Sequence, residues 1–145
     1  YEPALAQVRA EYADDIEFIY KHFPLVNAHQ NAKPAAIAAE VAGRQGKFWE
    51  FHDLLYEKQE EWSVLPNVQE KFVEYASSLE LDVDQFAADL KDKTLEDAVN
   101  AQHDEGVTAG VSGTPTFFLN GKRTEFAQDF SSFKEKIDAV LKPAN

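Results

Sequence analysis

The chain has 145 residues, of which 44% are hydrophobic and 12% aromatic, and this length and composition are typical of a single globular domain. Acidic side chains outnumber basic ones by 26 to 14, giving a formal net charge of −12, which disfavours binding to a phosphate backbone. No apolar run is long enough to span a bilayer, and the first residues lack the pattern of a signal peptide. We therefore expect a soluble domain that neither inserts into a membrane nor binds nucleic acid.

Cysteine and methionine are both absent. The absence of cysteine excludes disulfides, thiolate metal sites and a cysteine nucleophile within these residues. A chain without methionine that opens at Tyr1 is expected to be a processed or truncated product.

Histidine spacing gives little support for a metal site. His22 with His29 or His52 could be drawn together with acidic residues, but no metal-ligand spacing is present. Phosphate-binding glycine loops, nucleophile elbows and zinc-protease motifs are also missing. We predict neither a metal nor a cofactor.

The first half of the chain predicts helices with one strand. Helices are expected over residues 1–13, 33–45 and 47–60, and a strand over 16–23. The strand prediction rests on the alternation of Ile16, Phe18 and Tyr20 with polar neighbours. Gly46 is placed to end the second helix.

The second half continues with helices and then changes from helical spacing of apolar residues to a β-rich segment. Helices are expected over 67–79 and 83–91, and from residue 95 to between 106 and 110. A β-rich segment, 113–119, leads into the hairpin signal Asn120-Gly121. A last helix is expected to begin at Asp129 or Ser131 and to stop at Pro143.

The segment Gly113-Thr114-Pro115 is the most informative in the chain, because a proline at the mouth of a strand removes a ladder hydrogen bond. We predict a cis Thr114–Pro115 bond that leaves the backbone of Thr114 free to pair with an extended peptide. An ordinary trans proline that starts an edge strand fits the tetrapeptide Gly113-Thr114-Pro115-Thr116 equally well.

Three segments together resemble the DsbA-like thiol-disulfide oxidoreductases. Residues 111–121, Val-Ser-Gly-Thr-Pro-Thr-Phe-Phe-Leu-Asn-Gly, are similar to the cis-proline loop and hairpin of that family, and residues 45–52, Gln-Gly-Lys-Phe-Trp-Glu-Phe-His, to its inserted helical domain. Residues 23–25, Phe-Pro-Leu, together with His29 and the alanines that follow, match the family's sequence pattern between its second strand and the inserted domain.

The resemblance implies an α/β fold, a thioredoxin-like sheet with an inserted helical domain. Residues 1–27 and 107–145 would form the thioredoxin-like domain, and 28–106 the insert. The family carries a Cys-x-x-Cys motif before its first long helix, which we expect upstream of Tyr1. Gly113, Thr114 and Pro115 match the cis-proline loop of the family, and the resemblance implies that they form a substrate-binding loop.

The fold implied by the resemblance is N-terminally truncated here, since the family's central first strand is missing. Strands 16–22 and 116–119 would then lack the partner that lies between them. We expect a strand from a second copy to fill the gap, or the missing residues to exist in the parent protein. A strand-exchanged homodimer is therefore a candidate assembly.

The leading functional hypothesis is that the complete protein carries out disulfide interchange on unfolded, extracytoplasmic polypeptides. It would work together with a redox partner protein. This chain alone should be redox-inactive. One alternative is a redox-inactive thioredoxin-like module that binds peptides or assists assembly. The other is an enzyme like glutathione transferase kappa, in which a serine replaces the cysteine pair.

Overall fold

The computed structural model describes residues 1–142 and is mostly helical. The helices are α1 (Glu2–Glu11), α2 (Ala32–Arg44), α3 (Phe48–Glu57), α4 (Gln59–Trp62), α5 (Gln69–Ser78), α6 (Val83–Asp89), α7 (Lys93–Thr108) and α8 (Phe130–Leu141). The strands β1 (Phe118–Leu119) and β2 (Lys122–Arg123) form an antiparallel pair. Over the described range, every helix is too short or too polar to cross a bilayer.

The chain divides into two compact units. Unit 1 combines Tyr1–Tyr20 with Gly113–Asn145, and unit 2 is Lys21–Ser112. The borders predicted from the sequence, 27/28 and 106/107, both lie inside unit 2.

Unit 1 is built around helices α1 and α8 and the hairpin. Its buried residues are Ala4, Leu5, Val8, Tyr12, Phe133 and Ile137. The rings of Phe126 and Phe133 stack with centroids 4.3 Å apart. Because the turn residues Asn120 and Gly121 have φ of 48° and 76°, the hairpin closes through the type of two-residue turn that matches strand twist.

Unit 2 is a helical unit centred on α2. The alanine-rich face of α2 is buried, and small side chains let neighbouring helices approach closely. Three fully buried phenylalanines, Phe51, Phe72 and Phe86, fill the space between α3, α5 and α6.

An ion pair at the end of α2 joins two further elements of unit 2. The Arg44 guanidinium lies 3.4 Å from Asp89 and 2.7 Å from Asp92. A hydrogen bond from Arg44, which has the larger effect, and hydrogen bonds from Thr94 lower the pKa of Asp92 to about 2. The same carboxylate accepts from the Thr94 N–H and so caps α7.

The predicted helix termini are largely confirmed. Gly46 follows the end of α2 with φ of 76°, a conformation that glycine adopts without steric cost. Asp129 precedes α8 and accepts a hydrogen bond from the Ser132 N–H. The predicted stop at Pro143 lies outside the described residues.

Two predictions about regular structure are wrong. Residues 16–23 form no strand within the described range, because no segment there pairs with them and a strand needs a ladder of hydrogen bonds. The single helix expected over 47–60 is interrupted at Lys58, where the backbone φ and ψ of −107° and 23° are not helical.

Candidate functional site

The candidate site is the loop Gly113–Thr114–Pro115, which precedes the hairpin of unit 1. Thr114 and Pro115 are exposed, and Gly113 is half-buried. The Thr114–Pro115 peptide bond is cis. Thr116 Oγ1 donates to the Gly113 carbonyl over 2.7 Å, so a side chain on the strand side holds the start of the loop.

The backbone of Thr114 offers a donor and an acceptor. Neither its N–H nor its C=O has a hydrogen-bond partner among the described residues. Both groups belong to an exposed residue, so water satisfies them without great cost. An extended polypeptide could replace that water by pairing with Thr114 as an added strand.

The hairpin anchors the loop to the core of unit 1. The ring of Phe117 packs 5.3 Å from Tyr1 and 5.3 Å from Phe133. The Phe117 carbonyl accepts from the Thr124 N–H at 2.9 Å. Since Phe117 is two residues from Pro115, packing of this aromatic side chain limits how far the loop can shift.

The outward face of the hairpin is partly apolar. Phe118 is 45% exposed and lies directly opposite Arg123 in the antiparallel register. Residues paired in this way project to the same face of a sheet. Phe118 therefore presents an aromatic surface four residues after Thr114.

Sequence reasoning named the three loop residues but missed Thr116. Threonine hydroxyls in turns can bond to nearby backbone, and the Thr116 hydroxyl does so here. This local signal was present in the sequence.

The two buried histidines of unit 2, His22 and His52, have structural partners. His22 is 5% exposed; its Nε2 lies 3.0 Å from Glu40 Oε1, and its backbone N–H donates to Gln102 Oε1. His52 is also buried, with Nδ1 2.9 Å from Asp53 Oδ1. These contacts tie the start of unit 2 to α2 and α7 and fix one ring on α3.

Comparison with known proteins identifies the family. A family model described as Thioredoxin matches residues 1–139. The chain therefore belongs to the thioredoxin family, which is consistent with the resemblance to its DsbA-like members. A thioredoxin-like oxidoreductase from Silicibacter pomeroyi has a similar structure, with a TM-score of 0.72 and 21% identity, covering 98% of this chain and 79% of that one. The fold is thus thioredoxin-like, with a small two-stranded sheet and a helical insertion.

Several sequence relatives carry another name. The Na(+)/H(+) antiporter NhaA 1 of Salinispora arenicola is 39% identical over 97% of this chain and 21% of its own length. NhaA 3 of Salinispora tropica is 38% identical over 84% of the chain and 18% of its length. The chain spans about a fifth of the length of these curated relatives.

Proposed function

We propose that the protein containing this domain is a DsbA-like thiol-disulfide oxidoreductase that acts on unfolded polypeptides. The observation that supports the proposal is the exposed loop of a thioredoxin-family chain in which the Thr114 backbone has no partner among the described residues. That loop would hold a stretch of substrate backbone by main-chain hydrogen bonds, which give affinity with little sequence preference.

The redox step in this proposal requires groups beyond these residues. The 145 residues contain no cysteine, so the cysteine pair would belong to another part of the parent protein. Its thiolate would attack one sulfur of a substrate disulfide, forming a mixed disulfide and releasing the other sulfur as a thiolate. We propose an extracytoplasmic location, where disulfides persist, and a partner protein that restores the redox state of the pair.

Two variants at one position test the binding loop in the full-length protein. Thr114→Pro removes the backbone donor, whereas Thr114→Val removes the hydroxyl and keeps that donor. With a fluorescent disulfide peptide as substrate, we expect Thr114→Pro to lower kcat/KM about threefold to tenfold, the value of one hydrogen bond. Thr114→Val should remain close to wild type.

The outcomes separate the parts of the proposal. Circular dichroism establishes that each variant folds, because both tryptophans lie in unit 2 and their fluorescence does not report on the unit that holds the loop. Equal kcat/KM in wild type and a folded Thr114→Pro would refute the role of the loop. A full-length protein without disulfide exchange would refute the oxidoreductase activity.

The names of the relatives favour a second candidate, a redox-inactive peptide-binding module attached to a membrane antiporter. The relatives are named as antiporters, and this chain corresponds to about a fifth of each. The module would bind an extended segment through the same Thr114 backbone. A full-length sequence without Cys-x-x-Cys, together with peptide binding that Thr114→Pro weakens, would favour this candidate over the enzyme.

We also propose that a second copy of the chain supplies a strand to unit 1. Glu17 and Ile19 are exposed, and neither has a backbone hydrogen bond within the described range. Alternate residues of an extended segment direct these groups to the same edge. Sedimentation velocity should show a dimer that Ile19→Pro weakens and Ile19→Thr retains; a monomer at all concentrations would refute the exchange.

A further inference from the structure

Unit 2 contains a surface cleft of about 240 Å³ that is separate from the Gly113–Pro115 loop in sequence and has no role in the function proposed above. Helices α2, α5 and α7 and the residue after α6 contribute to its walls. The residues that matter for its chemistry are Lys33, Ile37, Gln69, Phe72, Leu90 and Glu96.

The floor of the cleft is apolar and well supported. Phe72 is fully buried, and Ile37 and Leu90 pack against the core cluster of unit 2. The Phe72 ring packs against Trp62 at a centroid separation of 5.7 Å. A floor fixed in this way is largely formed before any ligand binds, which lowers the entropic cost of binding.

Polar side chains of opposite charge lie around this floor. Lys33 and Glu96 are both half-buried, and Gln69 is exposed. None of these three side chains makes an ion pair or hydrogen bond with another described residue. A partly buried charge without a partner is stabilised when a ligand group of opposite charge reaches it.

We propose that the cleft binds a free α-amino acid with a branched apolar side chain. Its carboxylate would face Lys33, its ammonium would face Glu96, and its side chain would cover Ile37 and Leu90. A purely anionic ligand would be repelled by Glu96, and a purely cationic one by Lys33. The zwitterion satisfies both charges in one molecule.

The size of the cleft agrees with a ligand of this kind. One water molecule needs roughly 10–15 Å³ of such space, so a cleft of about 240 Å³ has room for a molecule of the size of leucine. A ligand so small, in a cleft open to solvent, is expected to bind with a Kd on the order of 1–10 mM.

Methyl NMR of the 145-residue chain tests the proposal directly. The chain contains four isoleucines, Ile16, Ile19, Ile37 and Ile137, of which Ile37 lines the cleft. We expect L-leucine to shift the Ile37 δ1 methyl signal saturably and to leave the other three signals in place. A change at Ile37 thus reports binding at this site rather than a general effect of solute.

Three truncated probes and two charge variants test the assignment of each group. 4-Methylpentanoate lacks the ammonium, 3-methylbutylamine the carboxylate and glycine the side chain; each should bind at least about fivefold more weakly than leucine. Lys33→Gln and Glu96→Gln should weaken leucine binding about threefold to tenfold. The matched controls Lys122→Gln and Asp97→Asn should leave it unchanged.

Two results would overturn the proposal. One is the absence of a saturable Ile37 shift up to about 50 mM leucine, well above the expected Kd. The other is equal binding of 4-methylpentanoate and leucine, which would assign the cleft to apolar acids in general. The probe series needs no mutation, so it decides the question even if a variant fails to fold.

Discussion

Asn31 offers the sharpest test of how unit 2 is held together. It precedes α2, is 7% exposed, and directs its side-chain amide at a loop that follows α4. Its Nδ2 lies 2.9 Å from the Trp62 carbonyl, 3.2 Å from that of Ser63 and 2.9 Å from that of Leu65. We predict that Asn31→Asp is more destabilising than Asn31→Ala.

The magnitudes follow from the number of donors. The amide has two N–H bonds, shared among three carbonyls, and each net hydrogen bond contributes about 1–1.5 kcal/mol. Asn31→Ala should therefore lower the free energy of unfolding by about 2–3 kcal/mol. Asn31→Asp also places a carboxylate against carbonyl oxygens in a buried position, which should add at least about 1–2 kcal/mol.

Urea unfolding at pH 7, followed by tryptophan fluorescence, measures the difference. Both tryptophans, Trp49 and Trp62, belong to unit 2, so their emission reports on that unit. The exposed Asn27 provides a control, and Asn27→Ala should stay within about 0.5 kcal/mol of wild type. An Asn31→Asp protein as stable as Asn31→Ala would refute the donor role. At pH 4 the penalty of Asn31→Asp should shrink, because a protonated carboxyl regains one donor.

Three other substitutions have opposite or conditional effects. Gly106→Ala would place a Cβ 2.7 Å from Cδ2 of Phe23, so a loss of about 1–3 kcal/mol in urea unfolding is expected. Gly43→Ala, in the last turn of α2, meets its nearest neighbour at 3.4 Å and should instead stabilise by up to about 1 kcal/mol. The Tyr12 hydroxyl donates to Asp138 Oδ1 at 2.6 Å and holds the pKa of that carboxyl below its ordinary 3.8. A carboxyl whose pKa is lower in the folded than in the unfolded state stabilises the fold at pH values above the unfolded-state pKa. This stabilisation is lost as the pH falls through the folded-state pKa. Tyr12→Phe should therefore lower the urea midpoint, measured by circular dichroism, in full at pH 6 and progressively less as the pH falls below 3.8. A pH-independent loss would contradict this.

Local sequence signals predict most of the regular structure. Apolar spacing located the helices, and Asn120-Gly121 located the hairpin, because both depend on residues close in sequence. The family was also predictable from short segments, and the match over residues 1–139 confirms it. The role of Gly113, Thr114 and Pro115 in substrate binding stays a prediction.

Features that depend on distant residues were not predictable. The three carbonyls that Asn31 reaches are 31, 32 and 34 residues away, and nothing in the local pattern distinguishes this asparagine from Asn27. The cleft of unit 2 likewise joins Lys33 and Glu96, which only the packing of α2, α5 and α7 brings to one surface. Such arrangements follow from tertiary packing.

The segment 16–20 shows why apolar alternation and strand formation are separate properties. Ile16 and Phe18 pack against the core of unit 1, whereas Glu17 and Ile19 are exposed, so the burial of these four residues alternates although they form no strand. Burial of one face needs only an extended backbone, but a strand also needs a neighbour that supplies a ladder of donors and acceptors. Hydrophobic pattern belongs to the segment itself, and pairing belongs to the segment and its partner together. The proposed strand exchange follows from this difference, since Ile16 and Phe18 already pack against the core of unit 1 and a second copy would have to supply only the backbone hydrogen bonds.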